Sequence, residues 1–216
     1  KEADIVFLSL PGGPQVLKVA ESIAGSARAG TVVIDLSTTT VADAREAGAL
    51  LAAHEISFAD CPVARTREAA QQGKLSIMVG APPTLYERIK PILDYMASDV
   101  TLGGDVGAGQ VLKLVNNMLV FANTVALAEM IVLGERAGVK AETLLEAVSK
   151  GSGDSFVLRN HGMKAMAPRE FPAQSFPAEY VLKDISYVFD LADQTHTPLP
   201  TANQARAYYA AAVENG

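Results

Sequence analysis

Four polar side chains lie at helical spacing inside the longest apolar stretch of this sequence. Gln110, Lys113, Asn117 and Thr124 are three, four and seven residues apart, which places them along one face of a helix. An amine in apolar surroundings is costly unless it has a chemical role or a partner. The pattern alone leaves two interpretations open: a solvated stripe on an ordinary amphipathic helix, or one wall of a functional site.

The elements around this helix predict an α/β fold followed by an all-helical part. Short β-branched or apolar runs alternate with helical spacing, which is typical of a parallel, doubly wound sheet. Strands are predicted at 5–10, 31–36, 56–63, 75–79 and 100–102, and helices at 16–24, 40–53, 68–72 and 86–96. Because an apolar helix of this kind is normally covered by other elements, we expect the 111–133 run to be buried.

A glycine-rich connection, from Gly103 to Gly109, marks the sharpest change of composition. Everything after it has helical spacing, with further helices predicted at 141–149, 155–166, 178–195 and 200–213. We therefore predict two domains, an α/β domain at 1–106 and an all-helical domain at 107–216, joined by the long helix. The glycines themselves are interpreted as points of backbone freedom at this hinge.

Three of the predicted strands end in distinctive residues: Leu10-Pro11-Gly12, Ser37-Thr38 and Pro62-Val63-Ala64-Arg65. In an open parallel sheet, ligands bind beyond the carboxyl ends of the strands. We expect these ends to meet at one edge of the sheet, with the glycine-rich connection bringing Lys113 towards them. This convergence favours a functional lysine over a solvated stripe.

Composition excludes some classes of partner. A net charge of −6 and a pI near 5.1 argue against nucleic acid or an anionic membrane as the main partner. The apolar run is interrupted by Lys113, Asn116, Asn117, Asn123 and Glu129, so no membrane span is expected. One cysteine and no export signal fit a cytoplasmic protein. A charged content of only 19% suggests that a partner chain covers some surface.

Metal and thiol chemistry find little support in the sequence. The three histidines, His54, His161 and His196, have no partners at ligand spacing, so we expect no metal site. Cys61 lies in an apolar strand before a proline, and we interpret it as a small core residue rather than a nucleophile.

These residues together carry a family pattern. Leu10-Pro11, Asp35-Leu36-Ser37-Thr38, Asp60-Cys61-Pro62-Val63, the segment 107–117 and Lys183-Asp184 resemble the β-hydroxyacid dehydrogenase family, in the right order and over essentially the whole chain. The resemblance implies a Rossmann-type NAD(P)-binding domain, whose first βαβ unit is missing from this sequence, and an all-α domain for substrate binding and dimerisation. It implies an NAD- or NADP-dependent oxidoreductase that interconverts a short β-hydroxyacid or hydroxy-sulfonate and its semialdehyde by hydride transfer.

The resemblance also implies roles for single residues. Lys113 matches the catalytic lysine, and Asn117, one turn further on, matches an amide that holds the substrate. Cofactor contacts are implied for Leu10, Pro11, Gln15 and Thr38 at the strand ends, and for Lys183 in the helical domain. Phe156 occupies the place of an aromatic wall for the substrate, with a place in the core as the alternative.

One departure from the family pattern bears on the substrate. Where most members have Ser-Gly-Gly after the third strand, this chain has Ala64-Arg65-Thr66, followed by Arg67. The usual segment binds a substrate carboxylate, and Arg65 offers a bidentate grip on an oxyanion. A similar Arg-Thr replacement occurs in a branch of the family that resembles sulfolactaldehyde and succinic semialdehyde reductases. This resemblance predicts a short anionic semialdehyde as substrate. The alternative is that both arginines are solvated loop charges.

A second class of function is a catalytically silent scaffold of the same fold. Lys113, Asn117 and Lys183 argue against it, because a scaffold has no need for these polar groups. We expect a homodimer or homotetramer built through the apolar helices. The choice between NAD and NADP rests on residues after the second strand of the missing unit.

Overall fold

The computed structural model describes residues 2–171 and 177–215. The chain forms two compact units, one reaching Val115 and including Asp193–Thr195, the other made of Asn116–Ala192 and the residues from His196 onwards. The division falls inside the long helix. The domain boundary after residue 106, which rests on composition, stays a prediction.

The first unit is built on a six-stranded sheet with the order β1-β2-β3-β5-β4, in which β6 pairs with β5. Its strands are β1 (Ile5–Leu8), β2 (Val32–Asp35), β3 (Ser57–Asp60), β4 (Val63–Ala64), β5 (Leu75–Gly80) and β6 (Ala97–Gly104). The first three strands are parallel, with Leu8 opposite Asp35 and Asp35 opposite Asp60. Their carboxyl ends therefore lie level at one edge, as the sequence predicts. The predicted strand at 56–63 is not continuous, however: β3 ends at Asp60, and β4 begins at Val63.

The prediction of a wholly parallel sheet is wrong for its second half. β5 runs antiparallel to β3 and β4, with Asp60 opposite Gly80 and Ala64 opposite Ser76. Only residues 65–74 connect β4 to β5, and this is too short for the crossover that a parallel neighbour requires. The reversal turns β3 and β4 into one nearly continuous line along β5.

Four helices accompany the sheet: α1 (Gly13–Ala24), α2 (Val41–Ala52), α3 (Arg67–Gln71) and α4 (Pro83–Leu93). Apolar side chains of α1 and α2, such as Val16 and Leu51, pack with Val33 in one core cluster. Ile89 of α4 packs with Ile34 in another. The strand residues Val33 and Ile34 are neighbours whose side chains point to opposite faces, so the sheet is covered on both sides.

The second unit is helical, as predicted. It contains most of α5 (Ala108–Arg136), α6 (Ala141–Val148), a π-helix (Leu158–Met166), α7 (Ala178–Thr195) and α8 (Pro200–Glu214). Ile131 of α5 packs with Leu145 and Leu158, and Phe121 packs with Ile185 of α7. The predicted helix at 155–166 is π-helical from Leu158, a form that apolar spacing does not distinguish from an α-helix.

The expectation that α5 is covered all round is wrong within this chain. Val115, Leu119, Met130 and Leu133 remain 49–60% exposed, and their spacing places them along one face. By length and composition alone α5 is also the one described helix apolar enough to cross a membrane. A single helix of this kind is weak support for a membrane span, because core helices of soluble proteins share these properties.

Candidate functional site

The ends of β1 and β2 are tied together by backbone and hydroxyl groups. The Leu10 N–H donates to Ser37 Oγ at 2.8 Å, and the Ser37 N–H donates to Asp35 Oδ1 at 3.0 Å. Asp35 is fully buried, and its Oδ2 has no hydrogen-bond partner among the described residues. Burial raises the pKa of Asp35 to about 6, against a lowering by its bonds with Ser37. The turn that follows each strand is thereby held at the same edge.

Asp60, at the end of β3, anchors the start of α5. Its Oδ1 accepts from the Gly107 N–H at 2.6 Å and its Oδ2 from the Gln110 N–H at 2.8 Å. These donors belong to the first turn of the helix, where backbone N–H groups have no partner within the helix. Desolvation raises the pKa of Asp60 to about 6 in spite of these bonds.

The glycines of this connection are required for different structural reasons. Gly107 has a φ of +96°, which favours glycine. Gly109 instead lies against backbone: a Cβ there would stand 2.5 Å from Met78 O and 2.6 Å from Asp60 O. The interpretation as backbone freedom therefore holds for Gly107, whereas Gly109 is required by close approach.

Gln110 completes the anchoring with its side chain. Its Nε2 donates to Ser37 O at 2.9 Å, and its Oε1 accepts from the Thr39 N–H at 3.1 Å. The side chain is fully buried. The polar stripe is consequently not a solvated face at this position. Lys113, three residues further along α5, is half-buried.

Asn117 and Asp184 form a buried pair in the helical unit. Asn117 Nδ2 donates to Asp184 Oδ2 at 2.8 Å, and the two residues are 7% and 3% exposed. Lys183 Nζ lies 3.2 Å from the other carboxylate oxygen, Asp184 Oδ1. The same ammonium lies 5.7 Å from the ring centroid of Tyr180 and 5.2 Å from that of Tyr187, within cation–π range. Lys183 is therefore a paired, half-buried group rather than a surface lysine without contacts.

Phe156 is 42% exposed, which excludes the alternative that it belongs to the core. Its ring meets His161 edge-on, with centroids 6.3 Å apart. His161 Nδ1 lies 3.4 Å from Thr124 Oγ1, the last member of the polar stripe. An aromatic wall at Phe156 stays a prediction.

Arg65 is exposed and engaged on its own unit. Its Nη1 donates to Lys74 O and Ser98 Oγ, and its Nη2 forms an ion pair with Asp99 Oδ2 at 2.6 Å. Ala64 is buried, whereas Thr66 caps α3 by accepting from the Ala69 N–H at 3.2 Å. Arg65 is thus not a loosely solvated loop charge, and its role as a substrate ligand stays a prediction.

Cys61 is fully buried, and desolvation raises the pKa of its thiol. This environment is that of a core residue and not of an activated thiol.

Sequence reasoning quoted Asp35, Asp60 and Asp184 within the family pattern but gave them no role, although the structure places them at the centre of these networks. Each is a carboxylate inside an apolar segment, and that was the available signal, because buried carboxylates require partners. Gln110 was visible in the polar stripe, but its partners 71 and 73 positions earlier in the chain were not.

Comparison with known proteins agrees with this architecture. Residues 1–104 match the family model for the NAD-binding domain of 6-phosphogluconate dehydrogenase, and residues 107–216 match the model described as NAD-binding of NADP-dependent 3-hydroxyisobutyrate dehydrogenase. The chain is 34% identical over 206 residues to 2-(hydroxymethyl)glutarate dehydrogenase of Eubacterium barkeri, covering 94% of this chain and 68% of that protein.

Two further matches concern 3-hydroxyisobutyrate dehydrogenases. A probable enzyme of that name from Mycobacterium tuberculosis is 31% identical over 214 residues, which is 97% of this chain and 73% of that protein. The solved Mycobacterium tuberculosis 3-hydroxyisobutyrate dehydrogenase with L-serine superposes with a TM-score of 0.88 at 30% identity, over 97% of this chain and 74% of that one.

The Rossmann-type unit, the helical unit and these matches define an NAD(P)-dependent oxidoreductase. More closely, the chain belongs to the β-hydroxyacid dehydrogenase family, which includes 3-hydroxyisobutyrate dehydrogenase. The predicted α/β fold class, the hydroxyacid dehydrogenase class and the NAD(P) cofactor are confirmed, and the scaffold alternative is disfavoured.

The strand-end residues fit part of a dinucleotide. Leu10 and Thr38 are half-buried at the edge, and Pro11 and Gln15 are exposed beside it. Gly12, the N-cap of α1, has no side chain with which to occupy the first N–H groups of that helix. The start of a helix just beyond the carboxyl end of a parallel strand is where such a ligand binds in open α/β sheets. The cofactor contacts of these four side chains stay a prediction.

Proposed function

We propose that this protein reduces a short semialdehyde carrying an acidic group to its hydroxyacid and catalyses the reverse oxidation. The observation that carries the proposal is the anchoring of α5 at the strand-end edge through Asp60 and Gln110. Since Lys113 follows Gln110 by one turn of the same helix, this anchoring fixes where its amine is presented. The helix that carries Lys113 is thereby joined to the sheet by buried hydrogen bonds.

The proton chemistry belongs to Lys113. Hydride addition to an aldehyde leaves negative charge on the carbonyl oxygen, and the lysine ammonium stabilises this charge and donates the proton. In the oxidative direction the amine accepts the proton from the hydroxyl group. The nicotinamide of NAD(P), when bound, donates or accepts the hydride. Leu10, Pro11, Gln15 and Thr38 are the proposed cofactor contacts of the α/β unit, and Lys183 is a further proposed contact.

The substrate is held by polar groups. Asn117, one turn beyond Lys113 on α5, offers an amide oriented by Asp184, and the backbone N–H groups of residues 65 and 66, just beyond β4, suit an anionic group. A carboxylate or a sulfonate fits this set, because either presents several acceptor oxygens. Phe156 would provide an apolar wall.

A matched pair of aldehydes tests the proposal. Succinic semialdehyde and butyraldehyde have the same chain length and differ in the acidic group. With NADH or NADPH, we expect kcat/KM to be about a hundredfold higher for the anionic aldehyde. An aldehyde without the acidic group would leave hydrogen-bond donors of the site unpaired. Equal values would remove anion recognition from the proposal. Dinucleotide binding in a fluorescence titration, without turnover of any short semialdehyde or hydroxyacid, would overturn the reaction itself.

Self-association belongs to the same proposal. The exposed apolar face of α5 suits a second copy of the chain, giving a homodimer or a homotetramer. We also propose a cytoplasmic location, without a nucleic-acid or membrane partner, in keeping with the acidic composition.

A further inference from the structure

Arg65 has an unusual backbone conformation. Its φ is +86°, in the left-handed region that non-glycine residues rarely adopt. The residue directly follows β4, and Thr66 directly after it caps α3. A residue of this kind persists in such a conformation only where its surroundings hold it there.

The surroundings that hold it are reached through its side chain. Arg65 lies one residue beyond Ala64, which pairs with Ser76 of β5, and Ser76 pairs on its other side with Asp99 of β6. The guanidinium therefore reaches past β5 to the next strand. There it donates to Ser98 Oγ at 2.6 Å and pairs with Asp99, and it also donates to Lys74 O at 2.8 Å.

Asp99 is well prepared as the acceptor. Ser98 Oγ also donates to Asp99 Oδ2, at 2.9 Å. This hydrogen bond, and secondarily those from Arg65, hold the pKa of Asp99 below its usual value. The carboxylate consequently remains charged through the neutral pH range, so the ion pair does not depend on conditions there.

We propose that Arg65 is a positioning residue: its contacts with Lys74, Ser98 and Asp99 hold the backbone of residues 64–66 in the turn that binds the anionic group of the substrate. This inference rests on the proposed function. It replaces a direct grip of the guanidinium on the substrate, because both terminal nitrogens of that group already donate to acceptors of this unit, Lys74 O just before β5 and Asp99 Oδ2 of β6. Specificity for an anion then comes from backbone N–H groups.

Asp99→Asn tests the inference without altering Arg65. We expect KM for succinic semialdehyde to rise about fivefold, the scale of one exposed ion pair, while kcat stays within about twofold. Asp94→Asn is the matched control, because Asp94 belongs to an exposed ion pair with Lys90 in the same unit. It should leave both constants unchanged. A direct grip predicts the opposite for Asp99→Asn, an unchanged or lower KM, since the guanidinium would be released towards the substrate.

Substitution of Arg65 separates backbone from side chain. Glycine adopts a φ of +86° without strain and alanine does not, so Arg65→Ala should raise KM severalfold more than Arg65→Gly. Equal losses in the two variants would overturn the positioning role. The deciding result is which of the two variants has the higher KM. A general loss of stability in both variants would not produce this difference in KM.

Hydrogen exchange gives a readout that does not depend on activity. In Asp99→Asn the amides of residues 65–74 should exchange faster than in the unmodified chain, and in Asp94→Asn they should not. Unchanged exchange in Asp99→Asn would refute the positioning role even if the enzyme is fully active. If exchange is faster in Asp99→Asn but the unmodified chain turns over no semialdehyde, the proposed function is wrong. The structural role of the contact between Arg65 and Asp99 would still be supported.

Discussion

Lys113 carries the reaction in our proposal, and its replacement gives the most direct test at the residue scale. Lys113→Met keeps the length of the side chain and removes the charge. We expect kcat to fall about 10²- to 10⁴-fold, the usual contribution of a positioned acid or base, with dinucleotide affinity unchanged in a fluorescence titration. Lys18→Met, at an exposed position of α1, is the control. A loss of less than tenfold in Lys113→Met would exclude Lys113 as the proton donor.

Asp35 makes stability depend on pH. Its pKa is raised from 3.8 to about 6 by burial, so the folded state favours the protonated carboxyl. The stabilisation is complete below about pH 4 and is lost as the pH rises through 6. The loss amounts to about 3 kcal/mol in the free energy of unfolding.

Asp35→Asn should remove the part of this dependence that Asp35 contributes, while Asp60, whose pKa is also raised to about 6, keeps its own part. The amide oxygen can still accept from the Ser37 N–H, but the side chain no longer titrates. In urea unfolding, the unmodified chain should therefore lose stability relative to the variant between pH 4.5 and pH 7.5. Glu87→Gln, at an exposed position of α4, should give no such difference. A constant difference between Asp35→Asn and the unmodified chain would contradict the raised pKa.

Sequence could identify Lys113 and Asn117 but not their supports. Spacing along one helix reveals which residues share a face, and the family pattern supplies their roles. Asp60 and Asp184 act through partners that are distant in the sequence, Gln110 and Asn117 respectively. Periodicity contains no information on such pairings, and a buried carboxylate in a strand or helix looks like an interruption of the apolar pattern.

At the scale of elements, most helices and strands were predictable, whereas the break between β3 and β4 and the direction of β5 were not. Apolar periodicity reports whether a segment is a strand and how deeply it is buried. It does not report which way the strand runs. The decisive quantity was the short connection between Ala64 and Leu75, whose single helix α3 spans only Arg67–Gln71 and cannot carry the chain across the sheet.

The junction of α5 with the sheet predicts a strong effect at one glycine. Gly109→Ala would place a Cβ 2.5 Å from Met78 O and 2.6 Å from Asp60 O, two backbone atoms with little room to move. We expect a loss of about 3 kcal/mol or more in the free energy of unfolding, measured by urea denaturation.

Gly25→Ala is the matched control for this substitution. A Cβ at Gly25 would stand 3.8 Å from the nearest atom, Glu21 O, and the φ of −80° suits alanine. Its stability should change by less than about 1 kcal/mol. Similar stabilities for the two variants would show that α5 does not pack against β3 and β5 as described.

At the scale of the whole molecule, the apolar face of α5 predicts self-association. Leu119 is 60% exposed within this chain, and a charge there would be buried in an interface without a partner. Leu119→Glu should therefore lower the molecular mass observed by sedimentation at micromolar concentration. Tyr95→Glu, at an exposed aromatic residue outside α5, should leave the mass unchanged. A monomeric unmodified chain would rule out this interface.

The shared register of Asp60 and of Val63–Ala64 against β5 constrains the number of residues in this stretch. Side chains of a strand alternate between the two faces, so one inserted or deleted residue between Asp60 and Arg65 would turn the guanidinium away from Asp99 and towards the opposite face of the sheet. Exchanges of side chain within Cys61–Ala64 leave this phase intact. The number of residues in this stretch therefore sets the face of the sheet to which the next side chain points. We expect substitutions there to be tolerated far better than insertions or deletions.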